Sequence, residues 1–432
     1  MTGTTVRRRP LEAVEHTRPR RMGGPSRHAR RDGGPRLKDK ARLPFHVVWV
    51  VTFILLVIGL LMMLSLSTPV AQGDKFAFLK NQGMAAAAGV VALFIISRLD
   101  YARLRKASVA FLVIVVVSLL LVHVPGLARR EGGATSYIPV GPLTYQPSEF
   151  AKLAVVLLGA HLLTSVRMIE RSFKEFMMPF GLSCVAMILL VVSEHDLGTA
   201  IIIAGLMLGM LWLGGMKGSQ VALITGVGFA GAAGLILTSQ ERIERFLSFW
   251  NPSSDPTDSS YQLTQSLIAL GRGGWFGVGP GQSVQKYHYL PMARSDMVFA
   301  IFGEEFGLAG AAFVIVLFVV FALACWQLAR RCDDPMGKFL IAGCGMLVTL
   351  EAVVNIGGVI GALPLTGVPL PFISYGRNSL LVMLAAVGLI LSVARRARGA
   401  EVRSEGERYD NVTHLDRRRW DSGARGARAG AR

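Results

Sequence analysis

Asp296 is the residue of this chain whose type and position best suit proton transfer. It closes a long polar stretch immediately before an apolar run, and a carboxylate at the edge of an apolar medium has its pKa pushed up toward the range in which it can act as a general base on a hydroxyl. The same position would suit a helix cap. Lys286, His288 and Arg294 place positive charge beside it, which fits a phosphate-bearing substrate. The glycines from Gly271 to Gly281 allow a close approach of the backbone to a ligand. They are not followed by the Lys-Ser/Thr pair of a phosphate loop and no strand leads into them.

Four further groups of polar residues interrupt apolar sequence, where an ionisable side chain is costly and therefore a functional candidate. Glu149 and Lys152 stand at i,i+3 spacing, on one helical face and able to neutralise each other. That pair reads equally as a structural ion pair. Glu194, His195 and Asp196 crowd a short turn, with Asp196 placed either to cap the helix that follows or to meet substrate. Glu351 and Asn355 lie four residues apart and should face the interior of a helix bundle. Cys184, Cys325, Cys332 and Cys344 have no CxxC spacing and no His partner, so they read as packing residues and no metal site is predicted.

The elements that must carry these residues are membrane helices. The chain is 52% hydrophobic and 17% charged, with a net charge of +18, a balance foreign to a soluble domain. Apolar windows long enough to span a bilayer fall near 46–66, 83–98, 108–125, 149–166, 176–193, 197–215, 218–238, 298–327, 337–362 and 371–394. They predict an all-α polytopic membrane protein of about ten transmembrane helices. Residues 1–45 and 395–432 are expected to be disordered basic tails flanking a membrane domain at 46–394. Aromatics are scarce in both tails, which argues for contact with anionic lipid and against nucleic acid.

The loops holding Arg98, Arg103, Arg105 and Lys106, then Arg167, Arg171 and Lys174, then Lys217, then Arg330, Arg331 and Lys338 alternate with less basic ones. By the positive-inside rule these loops and both termini are cytoplasmic. The Gly/Pro-rich segment 126–148 and the large loop 239–297, between the seventh and eighth helices, are then extracytoplasmic. The length of 239–297 is itself a sign of function, and Glu241–Trp250 has the pattern of an interfacial helix.

Five stretches carry a family resemblance: YQPSEFAKLA (145–154), EHDLGTA (194–200), YQLTQSLIALGRGGWFGVGPGQSVQKYHYLP (261–291), DMVFAIFGEEFGLAG (296–310) and LPLTGVPLPFISYG (363–376). Over residues 45–397 the chain resembles the SEDS family (shape, elongation, division and sporulation), its FtsW type more than its RodA type. The resemblance implies a glycosyltransferase of the bacterial cytoplasmic membrane that polymerises lipid II, an undecaprenyl-pyrophosphate-linked disaccharide pentapeptide, in division or cell-shape maintenance. It also implies a class B penicillin-binding protein as partner and leaves room for a divalent cation at the pyrophosphate. Asp296 matches the family's essential acid. Glu149, Lys152, Glu194, Asp196, Lys286, Arg294, Ser374 and Arg377 are the expected substrate contacts. A lipid II flippase, or a noncatalytic scaffold that activates a penicillin-binding protein, is the alternative.

The chain departs from the family pattern at several positions. Pro-Glu-Ala-His-Thr-Asp has become Pro291-Met292-Ala293-Arg294-Ser295-Asp296, and an expected Arg-Trp-Ile reads Ser136-Tyr137-Ile138. His195 replaces a proline between the two acids, Glu351 replaces a glutamine, and Gly-Gly-Ser has become Gly376-Arg377-Asn378. Arg294 and Arg377 are placed to restore the lost cation.

Overall fold

The computed structural model describes residues 37–70, 76–131, 134–141, 143–165, 177–237, 243, 258–287 and 289–396. The basic tails apart from their innermost residues, the Glu241–Trp250 segment, the loop of Arg167, Arg171 and Lys174, and His288 lie outside the described residues. Helices α1 (Leu37–Val70), α2 (Ala77–Arg98) and α3 (Tyr101–Val122) come first, followed by three short strands, β1 (Arg129–Glu131), β2 (Ala134–Val140) and β3 (Leu143–Tyr145). Then come α4 (Pro147–Ser165), a π-turn at Met177–Gly181 leading into α5 (Leu182–Ser193), α6 (Leu197–Leu213) and α7 (Gly218–Leu237). The last are α8 (Asp258–Gly273), α9 (Val298–Arg330), α10 (Pro335–Val359) and α11 (Arg377–Arg396).

Among the described residues, five segments are long and apolar enough to cross a membrane: Leu43–Ser67, Ala77–Arg98, Val298–Arg330, Pro335–Val359 and Arg377–Arg396. Ala107–Val122, Met178–Ser193 and Leu197–Leu213 are shorter apolar helices. Large side chains such as Val50, Phe53, Leu61, Leu189, Phe313 and Val319 are exposed on these helices, which is the surface expected where the surrounding medium is hydrocarbon.

Helix α4 lies at the centre. Its residues from Ala151 to Ala160 are all buried, and it packs against α3, α6 and α10. Helix α9 packs against α1, α8 and α10. The segment 126–148, expected to be only a loop, contains an antiparallel sheet in the order β1-β2-β3, with Arg129 opposite Tyr137 and Ile138 opposite Tyr145. Helix α8 was also not anticipated. It buries Ser260, Leu263, Ser266, Ala269 and Gly273, a three-to-four-residue spacing obscured because two of the buried residues are serines while Tyr261, Leu267 and Ile268 are exposed. The final helix begins at Arg377, not 371, because the residues before it form a turn in which Phe372 has φ 66°.

The glycine run does not frame a ligand in the way its composition suggests. Its backbone approaches α9 instead. Gly307 (φ 69°, ψ −169°) breaks α9, and the turn after α8 takes up the freed groups. Val278 and Gly279 donate to the carbonyls of Glu304 and Glu305 at 3.0 and 3.1 Å, while Leu308 and Ala309 donate to those of Gly274 and Trp275 at 2.9 and 3.1 Å. An added Cβ on Gly277 (φ 82°) would lie 2.1 Å from the Glu305 carbonyl oxygen, and one on Gly273 would lie 2.1 Å from that of Gly303.

A matched pair of substitutions tests this interlock. Gly281 also has positive φ (75°), but an added Cβ there meets nothing within 4 Å. Gly281→Ala should cost only the left-handed backbone penalty, about 1 kcal/mol. Gly277→Ala adds a backbone clash and should lower the thermal unfolding midpoint in detergent at least twice as far.

Candidate active site

Four segments converge at one end of the bundle: the start of α4, the turn between α5 and α6, the residues just before α9, and the loop between α10 and α11. Asn355, inside α10, ties two of them together. Its Nδ2 donates to the backbone carbonyls of Asp296, at 2.8 Å, and of Val368, at 2.7 Å. The loop fits closely because glycines face it. A Cβ on Gly198 would lie 2.3 Å from the Thr366 carbonyl oxygen, and one on Gly59 would lie 2.3 Å from that of Phe372.

Asp296 is half-buried, with Oδ2 lying 3.5 Å from where a Cβ on Gly367 would be. Burial pushes its pKa up to about 7; the negative charge of Asp196 acts in the same direction, and a hydrogen bond with Ser295 opposes both. Asp196 is engaged by the protein. It caps α6 by accepting from the Thr199 amide (3.0 Å), and its other oxygen accepts from Ser148 Oγ (3.0 Å) and Gln146 Nε2 (3.5 Å). The capping role open from the sequence is therefore the one seen, with a tie to α4 added.

Lys152 is fully buried between two carboxylates, 2.7 Å from Glu149 Oε2 and 2.5 Å from Glu351 Oε1. One ammonium thus couples α4 to α10, while Glu351 Oε2 has no hydrogen-bond partner. Glu194 is 1% exposed and neither of its oxygens has a partner. Burial, with Asp196 adding to it, raises its pKa to about 8.

The cations divide into two groups. Lys286, expected to contact substrate, is buried and already occupied: its Nζ bonds to Gly281 O (2.6 Å), Ser65 Oγ (3.1 Å) and Glu305 Oε1 (3.3 Å). With its three donors used it joins the glycine turn to α1 and α9, a correction to the sequence-based expectation. Beside it Glu304 accepts from Ser283 Oγ and from the amides of Val284 (3.1 Å) and Gln285 (3.3 Å). Arg294 is exposed, its guanidinium 4.8 Å from the centre of the Phe78 ring and 5.9 Å from that of Tyr375. Its carbonyl accepts from the Tyr375 amide at 2.8 Å. Both rings, themselves packed edge to face at 5.6 Å, lie within cation–π range of this exposed guanidinium. Arg377 is half-buried and donates to Thr144 Oγ1 at 3.3 Å.

Ser374, another expected contact, is buried with Oγ accepting from the Leu370 amide at 2.8 Å. Its carbonyl accepts from Gln82 Nε2 (3.0 Å), whose Oε1 accepts from the Gly376 amide (3.4 Å). Ser374 shapes the loop, and Gln82 draws α2 to it. Sequence reasoning missed Gln82, Glu304 and Glu305. The adjacent acids at 304 and 305 within an apolar run were a signal, whereas nothing around Gln82 distinguished it.

Among the described residues, three that are not glycine have positive φ: His195 (67°), Met292 (52°) and Phe372 (66°). All three lie in the segments that build this site, where backbone strain concentrates in functional proteins. His195 occupies the position at which the family pattern has proline. Proline fixes φ near −65°, so the turn in this chain is of a different kind.

Residues 45–399 match the family model described as FTSW_RODA_SPOVE, cell cycle protein. The chain is 37% identical to stage V sporulation protein E of Bacillus subtilis (strain 168), over 84% of this chain and 100% of that protein. It is 38% identical to the probable peptidoglycan glycosyltransferase FtsW of Thioalkalivibrio sulfidiphilus (strain HL-EbGR7), over 79% of this chain and 87% of that one. A chain from a solved peptidoglycan synthase complex, described as coordinating polymerization and crosslinking, superposes with a TM-score of 0.68 at 26% identity, covering 81% of this chain and 98% of that one. The rod shape determining protein RodA of Thermus thermophilus shares the fold, with a TM-score of 0.60 at 24% identity over 80% and 96% of the two chains. This chain belongs to the FtsW/RodA/SpoVE family of cell cycle proteins.

Proposed function

We propose that this chain is a peptidoglycan glycosyltransferase that polymerises lipid II at the outer face of the bacterial cytoplasmic membrane, in division or cell-shape maintenance. The observation that carries the proposal is Asp296, a half-buried carboxyl whose backbone is pinned by Asn355 and whose pKa of about 7 lies at the working range of a general base. It stands in a chain whose relatives are named as probable peptidoglycan glycosyltransferases. Asp296 takes the proton of the acceptor's 4-hydroxyl. The resulting oxygen attacks the donor's anomeric carbon, the bond from that carbon to the diphosphate breaks, and undecaprenyl diphosphate leaves. Arg294, exposed two residues before Asp296, meets the departing diphosphate.

No three His, Cys, Asp or Glu side chains converge as a metal cage among the described residues. A divalent cation on the diphosphate would take most of its ligands from phosphate and water, with the half-buried carboxyl of Asp296 able to supply one. Likeness to a chain of a peptidoglycan synthase complex supports a class B penicillin-binding protein as partner. The alternating basic loops support cytoplasmic termini.

Purified protein given lipid II should form glycan polymer, whereas bilayer transit without polymer would establish a flippase, and neither activity a scaffold. Asp296→Asn keeps the side chain's size and should make no polymer. More than about a tenth of wild-type turnover would exclude a base contributing at least a hundredfold. Because the base acts deprotonated, kcat/KM should fall as pH drops below about 7. Lys152→Met leaves two carboxylates buried without their cation and should cost about 3–5 kcal/mol of stability, seen as a lower unfolding midpoint together with lost activity. A cysteine at exposed Gln282 should be labelled by a membrane-impermeant maleimide in intact cells. Labelling only after permeabilisation would reverse the orientation.

A further inference from the structure

Asp296 stands just before Met297, the residue that opens α9. The first backbone bonds of that helix start beyond it, where the Met297 carbonyl accepts from the amides of Ala300 (3.0 Å) and Ile301 (3.4 Å). The turn that carries Asp296 is closed from within, since the Met292 carbonyl accepts from the amides of Ser295 (3.0 Å) and Met297 (3.3 Å). Such bonds fix the shape of a turn and not its place in the bundle. Its ties to the segment between α10 and α11 are two: the Tyr375 amide donates to the Arg294 carbonyl at 2.8 Å, and Asn355 joins the turn to Val368.

Asn355 is 4% exposed and uses both hydrogens of one amide nitrogen, on the carbonyls of Asp296 (2.8 Å) and Val368 (2.7 Å). The reverse orientation of the amide would set its oxygen against two groups that can only accept, so these partners decide which way it points. Its Oδ1 is buried without a hydrogen-bond partner, so the side chain serves here as a double donor and its acceptor goes unused at some cost. The Val368 end of this bracket bears on the carboxyl as well. The residue before Val368 is Gly367 (φ 74°), and Asp296 Oδ2 lies 3.5 Å from where a Cβ on Gly367 would be. The main chain and the carboxyl of Asp296 thus both adjoin residues 367 and 368, and Asn355 sets the spacing between the two segments.

We propose that Asn355 is a positioning residue for the general base, holding the carbonyls of Asp296 and Val368 together so that the Asp296 carboxyl is kept against Gly367. A displacement of about 1 Å can cost a reaction about a hundredfold in rate. Two replacements separate the donors from the spacing. Leucine has a similar branched shape and no donor, whereas glutamine keeps both donors on a stem one methylene longer and cannot hold both carbonyls without moving one of them. Asp196, whose charge acts on Asp296, is untouched by either change. The consequence for turnover rests on the polymerase proposal above; the bracket rests on the geometry alone.

Purified, full-length Asn355→Gln and Asn355→Leu in detergent test the proposal. Asn355→Gln should unfold near the wild-type midpoint and bind fluorescent lipid II within about threefold of wild type, yet lose about tenfold or more in kcat. Asn355→Leu leaves two carbonyls without their donor and should also unfold at lower temperature. In both, a carboxyl released from Gly367 gains water and its pKa falls, so the acid limb of kcat/KM, near pH 7 in the wild type, should move down by about one unit. The infrared difference between each protein and its own Asp296→Asn form reports the protonated carboxyl directly, and its titration midpoint should move the same way without any turnover. Folded variants with kcat within about twofold of wild type and an unmoved acid limb would overturn the proposal. So would a loss of kcat that accompanies a lower unfolding midpoint while the infrared midpoint stays in place, since Asn355 would then only support the fold. Wild-type protein that makes no polymer, but whose infrared midpoint shifts in both variants, would refute the polymerase reading and leave the hold of Asn355 on Asp296 standing.

Discussion

Backbone polar groups in hydrocarbon must find partners within the protein, and the break in α9 at Gly307 is where this constraint bears hardest. A helix interrupted there releases carbonyls and amides that lipid cannot satisfy. The turn after α8 supplies the matching groups in four backbone bonds between 2.9 and 3.1 Å. Only glycine fits such an approach at 273, 277 and 307, because a Cβ at any of them would fall within 2.4 Å of another backbone atom. Glu304 and Glu305 then extend the joint. One gathers the start of the next turn through Ser283 and two amides, and the other receives Lys286. The chain leading from this joint to Asp296 is thereby fastened to the bundle from below.

Electrostatics set the character of the site that results. Glu149 and Glu351 flank the buried ammonium of Lys152, and the charge of Asp196 acts on Asp296 and Glu194. Each acid is managed differently: Glu149 and Glu351 by Lys152, Asp196 by an amide, a hydroxyl and a side-chain amide, and Asp296 and Glu194 by holding their protons to higher pH. Asp196 contributes to the raised values of both, so one carboxylate satisfied by hydrogen bonds from the protein tunes two others. Pairs of acids driven apart in this way are a familiar means of obtaining a base and a neutral hydrogen-bonding acid in one site.

The loop between α10 and α11 supplies the opposite wall. Its position depends on contacts from α1 at Gly59, α2 at Gln82, α6 at Gly198 and α10 at Asn355. Left-handed backbone at Phe372 is sustained by those contacts, since such a residue costs roughly 1–3 kcal/mol and persists only where its surroundings impose it. Arg294 joins this wall through Phe78 and Tyr375, which gives the chain a braced guanidinium two residues from its candidate base.

The sequence by itself determined the class of the protein, because apolar run length and the alternation of basic loops report directly on the bilayer. It also singled out Asp296, Glu194, Asp196, Glu149 and Lys152, because an ionisable residue beside or within apolar sequence is too costly to be incidental. Only the tertiary structure decided what each one does. Lys286 and Arg294 look alike as basic residues near an acid, but a partner 19 residues away in sequence, Glu305, takes the first into the interior, while two rings from α2 and the last loop hold the second outside. The glycine run declared close backbone approach and could not declare to what, since the matching break in α9 exists only in three dimensions. Ser374 and Gln82 were equally illegible. Their hydrogen bonds run between segments almost 300 residues apart, and no local pattern of residue types encodes a contact of that separation.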